Sequence, residues 1–228
     1  MATSVQAARG AATTPPPGES PALTALLQWL RSHRQATATI ATVLVVAGGL
    51  VWWNLLSRSR VEGAASERLE QARLAFESRN YPLAASELSQ VVENYSGTRA
   101  AAQANLLLAE VRLYQGQGQR AVDLLKSIAP SVGRDFAAPA YGLLGAAYEN
   151  VGHPADAAGA YEEAARRAEF AFLKAQYLSD AGRCWTAAGD TTKALAEYRT
   201  IVSGMDSTLA IAEAKVRIGE LTRGAGVK

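Results

Sequence analysis

The sequence predicts an all-α protein: a single N-terminal transmembrane helix followed by a solenoid of helical hairpins. Three observations predict it. Residues 36–56 (ATATIATVLVVAGGLVWWNLL) are an apolar run without one charge. Beyond residue 57 a pattern of small and aromatic residues returns about every 37 residues, the mark of a repeat array. Within each unit the apolar positions fall at i, i+3, i+4 and i+7, the period of a helix.

Residues 1–35 form the first segment. Residues 1–21 are rich in Ala, Thr and Pro, with Pro15, Pro16 and Pro17 in a row, and hold too little apolar material to fold. Residues 23–34 (LTALLQWLRSHR) differ, because Leu23, Leu26, Leu27 and Leu30 share one helical face with Trp29 beside them. Two readings stand here: a short amphipathic helix in the headgroup region, or an early start to the membrane helix.

Residues 36–56 would reach ~31 Å as a helix, about the thickness of a bilayer's hydrocarbon core. Arg31, His33 and Arg34 flank one end, and Arg58 and Arg60 the other. A cleaved signal peptide fits poorly, since the leader is long and bulky Trp52, Trp53, Leu55 and Leu56 occupy the place of a small-residue cleavage site. Trp29, Trp52 and Trp53 sit near the ends of the run, where amphipathic rings favour a membrane interface. No Pro lies between residues 35 and 81, so this helix is expected to continue into the first repeat.

Charge narrows the function. Three of the 23 basic residues and one of the 21 acidic residues lie in 1–35, and the 20 of each that remain cancel over residues 57–228. A nucleic-acid-binding domain carries a basic surplus, and this one has none, so nucleic acid is not an expected partner.

Residues 57–228 are read as about four repeats with a capping helix. The clearest unit is residues 141–164 (YGLLGAAYENVGHPADAAGAYEEA). Tyr141, Leu144, Gly145 and Tyr148 line one helix, Gly152 ends it, Pro154 opens the next, and Ala157, Tyr161 and Ala164 continue the pattern. Gly145 and Ala157 let two helices approach while the rings fill the space between them. This unit resembles the tetratricopeptide repeat, with its aromatic, Leu-Gly, Tyr, Ala, aromatic and Ala positions all filled. The register returns at Leu178, Ala181, Gly182, Trp185, Ala194 and Tyr198, and earlier at Leu108, Ala109, Gly116, Ala121 and Leu125. It reaches back to Ala72, Ala75, Ala84 and Leu88, and forward to a half unit over residues 209–221.

Nothing marks an enzyme. Two histidines and one cysteine are too few for most catalytic or metal constellations, and no cofactor is expected. Gly116-Gln-Gly118-Gln-Arg-Ala121 fits a dinucleotide-binding pattern, but that pattern works only between a strand and a helix, and here it joins two helices. The candidate binding surface is the concave face lined by the first helix of each repeat: Leu69, Arg73 and Phe76, then Leu106, Glu110, Leu113 and Tyr114, then Gly142 and Ala146, then Ser179 and Arg183. This mixture lacks the paired basic and amide residues that clamp a C-terminal carboxylate. It suits an apolar segment or a partner helix, or else it is packed shut against neighbouring helices.

The layout resembles the YfgM-like family. The likeness is carried by an amphipathic run before the span, Trp52-Trp53-Asn54 near its end with Arg58 following, the Ala-rich helix after Arg60, and the degenerate repeats. It implies a bacterial inner-membrane protein, N-terminus cytoplasmic and repeats periplasmic. Its implied role is that of an ancillary partner of the Sec translocon, working with a membrane-anchored periplasmic chaperone. Charge disagrees with this orientation. Arg58, Arg60, Arg68 and Arg73 outnumber Arg31 and Arg34, which by the positive-inside rule keeps the repeats in the cytoplasm. Arg68 and Arg73 share their helix with Glu67, Glu70 and Glu77, so the orientation follows the resemblance. A cytosol-facing receptor or assembly scaffold, and a structural subunit of a membrane complex, are the alternatives.

Overall fold

The computed structural model describes residues 29, 32, 34–204 and 208–223. The expectations for residues 1–28, 30, 31 and 33 lie outside the described residues, and so do the side chains of 34, 36, 37, 40 and 41. The described residues form nine helices: α1 (Arg34–Glu77), α2 (Tyr81–Asn94), α3 (Arg99–Tyr114), α4 (Gly118–Ile128), α5 (Arg134–Asn150), α6 (Pro154–Arg167), α7 (Ala171–Ala187), α8 (Thr191–Gly204) and α9 (Thr208–Thr222). The chain divides into two units, Met1–Ser57 and Arg58–Lys228, and α1 contributes residues to both.

In the first unit α1 is apolar on every side, and among its described residues none of the large apolar side chains is covered. Val45 is 74% exposed, Leu50 66%, Trp52 71% and Trp53 70%. Among the described residues, no helix is long and apolar enough to cross a membrane.

The second unit is a succession of helical hairpins in which each helix is fixed by its turn and its apolar face. Four turns share one construction. Arg79, Gly116, Gly152 and Gly189 stand just past the ends of α1, α3, α5 and α7, all with positive φ between 59° and 81°. In each, the N–H of that residue donates three residues back and the next N–H donates five back, as in Gly152 to Glu149 (3.0 Å) and His153 to Tyr148 (2.9 Å). This motif consumes the last free carbonyls of the helix. The four positions keep the 36- to 37-residue register, and the first departs from it in residue type alone. Arginine pays a backbone penalty there that glycine does not. Arg79→Gly should therefore raise stability by about 0.5–1 kcal/mol, read as a higher denaturation midpoint with an unchanged slope.

Between helices the filling is small against large. A Cβ at Gly145 would stand 2.8 Å from the Tyr161 ring, and one at Gly182 would stand 2.7 Å from the Tyr198 ring. The two pairs are the same contact one repeat apart. Ala157 and Ala194, both fully buried, sit one turn before those tyrosines. Successive hairpins are also tied at the ends of their first helices. The Glu62 carboxylate accepts from the N–H groups of Arg99 and Ala100, both at 2.9 Å, and so caps α3. Arg99 reaches Asp135 at 2.7 Å, and Arg134 reaches Glu169 at 3.2 Å. These last pairs are exposed and each contributes ~0–1 kcal/mol at most.

Glu87 on α2 occupies the register position of Leu124 on α4 and Ala160 on α6. Leu124 packs on the first core and Ala160 is buried in the second, whereas Glu87 is half-buried with one carboxylate oxygen enclosed and without a hydrogen-bond partner.

Candidate protein-docking surface

The positions assigned from sequence to a concave face divide into three groups. Leu69 is only 4% exposed and belongs to the first core, which removes it from any open surface. Leu106 and Leu113 are half-buried against the second core, and beside them burial pushes the Glu110 carboxyl above the usual carboxylate range. Arg73 is exposed and faces Glu70 at 3.9 Å. Phe76 is half-buried in a ring cluster that the sequence did not reveal: its centroid lies 5.9 Å from Tyr81 and 5.7 Å from Tyr114, while Tyr81 and Tyr114 stack at 5.3 Å. Tyr114 keeps 58% of its surface exposed. This cluster joins α1, α2 and α3 and leaves one aromatic face for a partner.

Arg183 does not stand free. It is bidentate on Glu149, with Nη2 to Oε1 at 3.0 Å, and Nη2 also reaches Asp180 at 3.1 Å. The buried Tyr161 hydroxyl donates to the same Glu149 oxygen at 2.7 Å. Arg183 holds the Glu149 carboxyl below its ordinary value, while burial and Glu149 together push the Tyr161 phenol up. Cys184, buried next to this network, is pushed up to about 12 by burial and is an unreactive thiol at neutral pH. Gly142 is buried under the Tyr177 ring, and Ala146 and Ser179 are half-buried. The network cross-links α5, α6 and α7 and takes up Arg183, for which the sequence left open either an open face or packing against neighbouring helices.

Openness appears further along. A crevice of about 280 Å³ lies between α7 and α9, with Ile201 of α8 at its back. Its walls are Phe172 and Ala175 on α7 and Leu209 and Ala210 on α9, and Asp180 and Glu213 line the same space. Phe172 is 63% and Leu209 80% exposed, and Phe170 stacks on Phe172 at 5.7 Å. Exposed aromatic and aliphatic side chains around a concave surface are the usual makings of a protein-binding site. Among the described residues no group of His, Cys, Asp and Glu is arranged to hold a metal ion.

The tetratricopeptide repeat-like domain family matches residues 56–171, and the tetratricopeptide repeat family matches residues 143–208. Among solved structures, the chain is similar to a putative kinesin light chain from Podosopora anserina with nearly identical TPR-like repeats, and to a single-substitution variant of it. Each likeness has a TM-score of 0.56 at 16% identity and covers 72% of this chain and 88% of the other. That identity carries the fold alone. A search of curated proteins gives no match. The first family match spans half of the sequence, and it falls on the helices whose turns, Gly–Tyr contacts and register have just been described. The chain belongs to the tetratricopeptide repeat-like domain family.

Proposed function

We propose that this protein is a membrane-held scaffold that docks other proteins on its repeats. The observation that carries the membrane half is the uncovered apolar surface of α1 from Val43 to Leu56, together with the uncharged sequence of residues 36–56. A helix that is apolar all round is stable when lipid or protein surrounds it and costly when water does. The docking half is supported by the family, whose helical repeats serve as protein-interaction scaffolds, and by the open crevice between α7 and α9.

The finer reading places the repeats in the periplasm of a bacterial cell as an ancillary partner of the Sec translocon, beside a membrane-anchored chaperone. It is supported by the YfgM-like layout around Trp52, Trp53 and Asn54. A reporter active only in the periplasm, fused after Lys228, is expected to be active. A silent fusion with a bright cytoplasmic reporter would turn the repeats toward the cytosol. One observation favours that second reading, a cytosol-facing receptor or assembly scaffold: Arg58 and Arg60 lie directly after the apolar run.

A further inference from the structure

We propose that the crevice between α7 and α9 takes a polypeptide segment that carries a basic side chain beside a large apolar one. This inference rests on the docking reading above and specifies the partner's chemistry.

The apolar part follows from the walls. Phe172 and Leu209 project from opposite sides, mostly exposed, and Ala175, Ala210 and Ile201 leave room between them for one large side chain. The basic part follows from a count of charge. Two carboxylates line the crevice, Asp180 and Glu213, and two more, Glu149 and Glu220, are the partners of the arginines whose charge reaches them. Two cations answer them, and both are committed. Arg183 is bidentate on Glu149 and touches Asp180 with one nitrogen, and Arg217 is paired with Glu220 at 2.9 Å. Among the described residues, no cation lies within ion-pairing distance of Glu213. The half-buried Asp180 carboxyl is raised above its usual range, chiefly by desolvation, with Glu149 and Glu213 adding to the rise against Arg183. The crevice thus holds an excess of two negative charges at the edge of an apolar hollow. A lysine or arginine placed between Asp180 and Glu213 would neutralise this excess where water is partly excluded, and its apolar neighbour would cover Phe172 and Leu209. The sign is opposite to that of repeats that grip a C-terminal carboxylate, and an acidic tail would be repelled here.

The test is selection from a random 12-residue peptide display library against the full chain kept in detergent. Peptides enriched on the wild-type chain are expected to carry Lys or Arg next to a large apolar residue. The double variant Asp180→Asn/Glu213→Gln keeps the shape of the crevice, and it should bind a selected peptide ~10-fold more weakly. Raising salt from about 0.05 to about 0.5 M should weaken the wild-type complex and leave that of the variant nearly unchanged. The pair Phe172→Ser/Leu209→Ser, checked for helicity by circular dichroism, should abolish binding. Selected peptides without a basic excess, or equal binding to the charge-neutral variant, would overturn the inference and leave docking in place. Undiminished binding to the folded Phe172→Ser/Leu209→Ser chain would overturn it by moving the site elsewhere. Enrichment of no peptide at all would overturn the docking reading with it.

Discussion

Replacing Ala157 with Leu should lower the melting temperature of the entire repeat array in one transition. Ala157 is fully buried where α6 meets its neighbours, in a cluster with Tyr161, Ala181 and Cys184 against which Tyr148 and Trp185 pack. Three added heavy atoms find no space there. The rings around them have little freedom, because the Tyr161 hydroxyl is bound to Glu149 and the Trp185 indole N–H donates to Glu162 at 2.6 Å. Overpacking of this kind costs ~1–3 kcal/mol. Neighbouring hairpins stabilise one another, so the loss should spread through α5 to α8 and not melt one hairpin alone. Gly145→Ala is the companion case. Alanine is the better helix former by ~1 kcal/mol, yet its Cβ would meet the pinned Tyr161 ring at 2.8 Å, so the variant should be less stable than wild type. Circular dichroism melts of the purified chain decide both. An unchanged midpoint for Ala157→Leu would show that the α6 contacts are not the ones that hold the array.

The second large effect is expected in the other unit. Val46 lies at the middle of residues 36–56 and is 56% exposed on α1. If lipid surrounds this stretch, Val46→Arg places a charge near the bilayer centre, at a cost of ~2.5–3.5 kcal/mol on insertion scales. The newly made variant should then float poorly with membranes in a density gradient, while its repeats melt as before. If protein or water surrounds α1 instead, the distribution of the chain will not change.

The repeat register was legible because it rests on residues with narrow steric roles. Gly116, Gly152 and Gly189 mark turns that need positive φ, and the structure has that backbone at each. Gly145 and Ala157 were read as close-approach positions, and the Tyr161 ring fills the space they leave. The Gly116–Ala121 motif also sits where the spacing placed it, in the turn between α3 and α4 and at the start of α4. The binding face was much less legible. Helical periodicity tells which residues share a face but not whether another helix covers it, and so it leaves Leu69 with two readings, of which the structure has the packed one. The Arg183–Glu149 pair spans 34 residues and depends on how α5 and α7 stack, a matter beyond local pattern. Phe172 and Leu209 carry no special spacing at all. Their meaning comes from α9 lying beside α7 with a gap between them.

The central claim is that residues 36–56 hold the repeats at a membrane, and extraction of native membranes at alkaline pH in carbonate tests it most directly. Carbonate strips proteins held by charge or by other proteins and leaves those embedded in lipid. The full chain is expected to stay in the washed membrane pellet and to dissolve only when detergent is added. Its recovery in the carbonate supernatant would contradict the account, and the exposed apolar surface of α1 would then have to be covered by another protein.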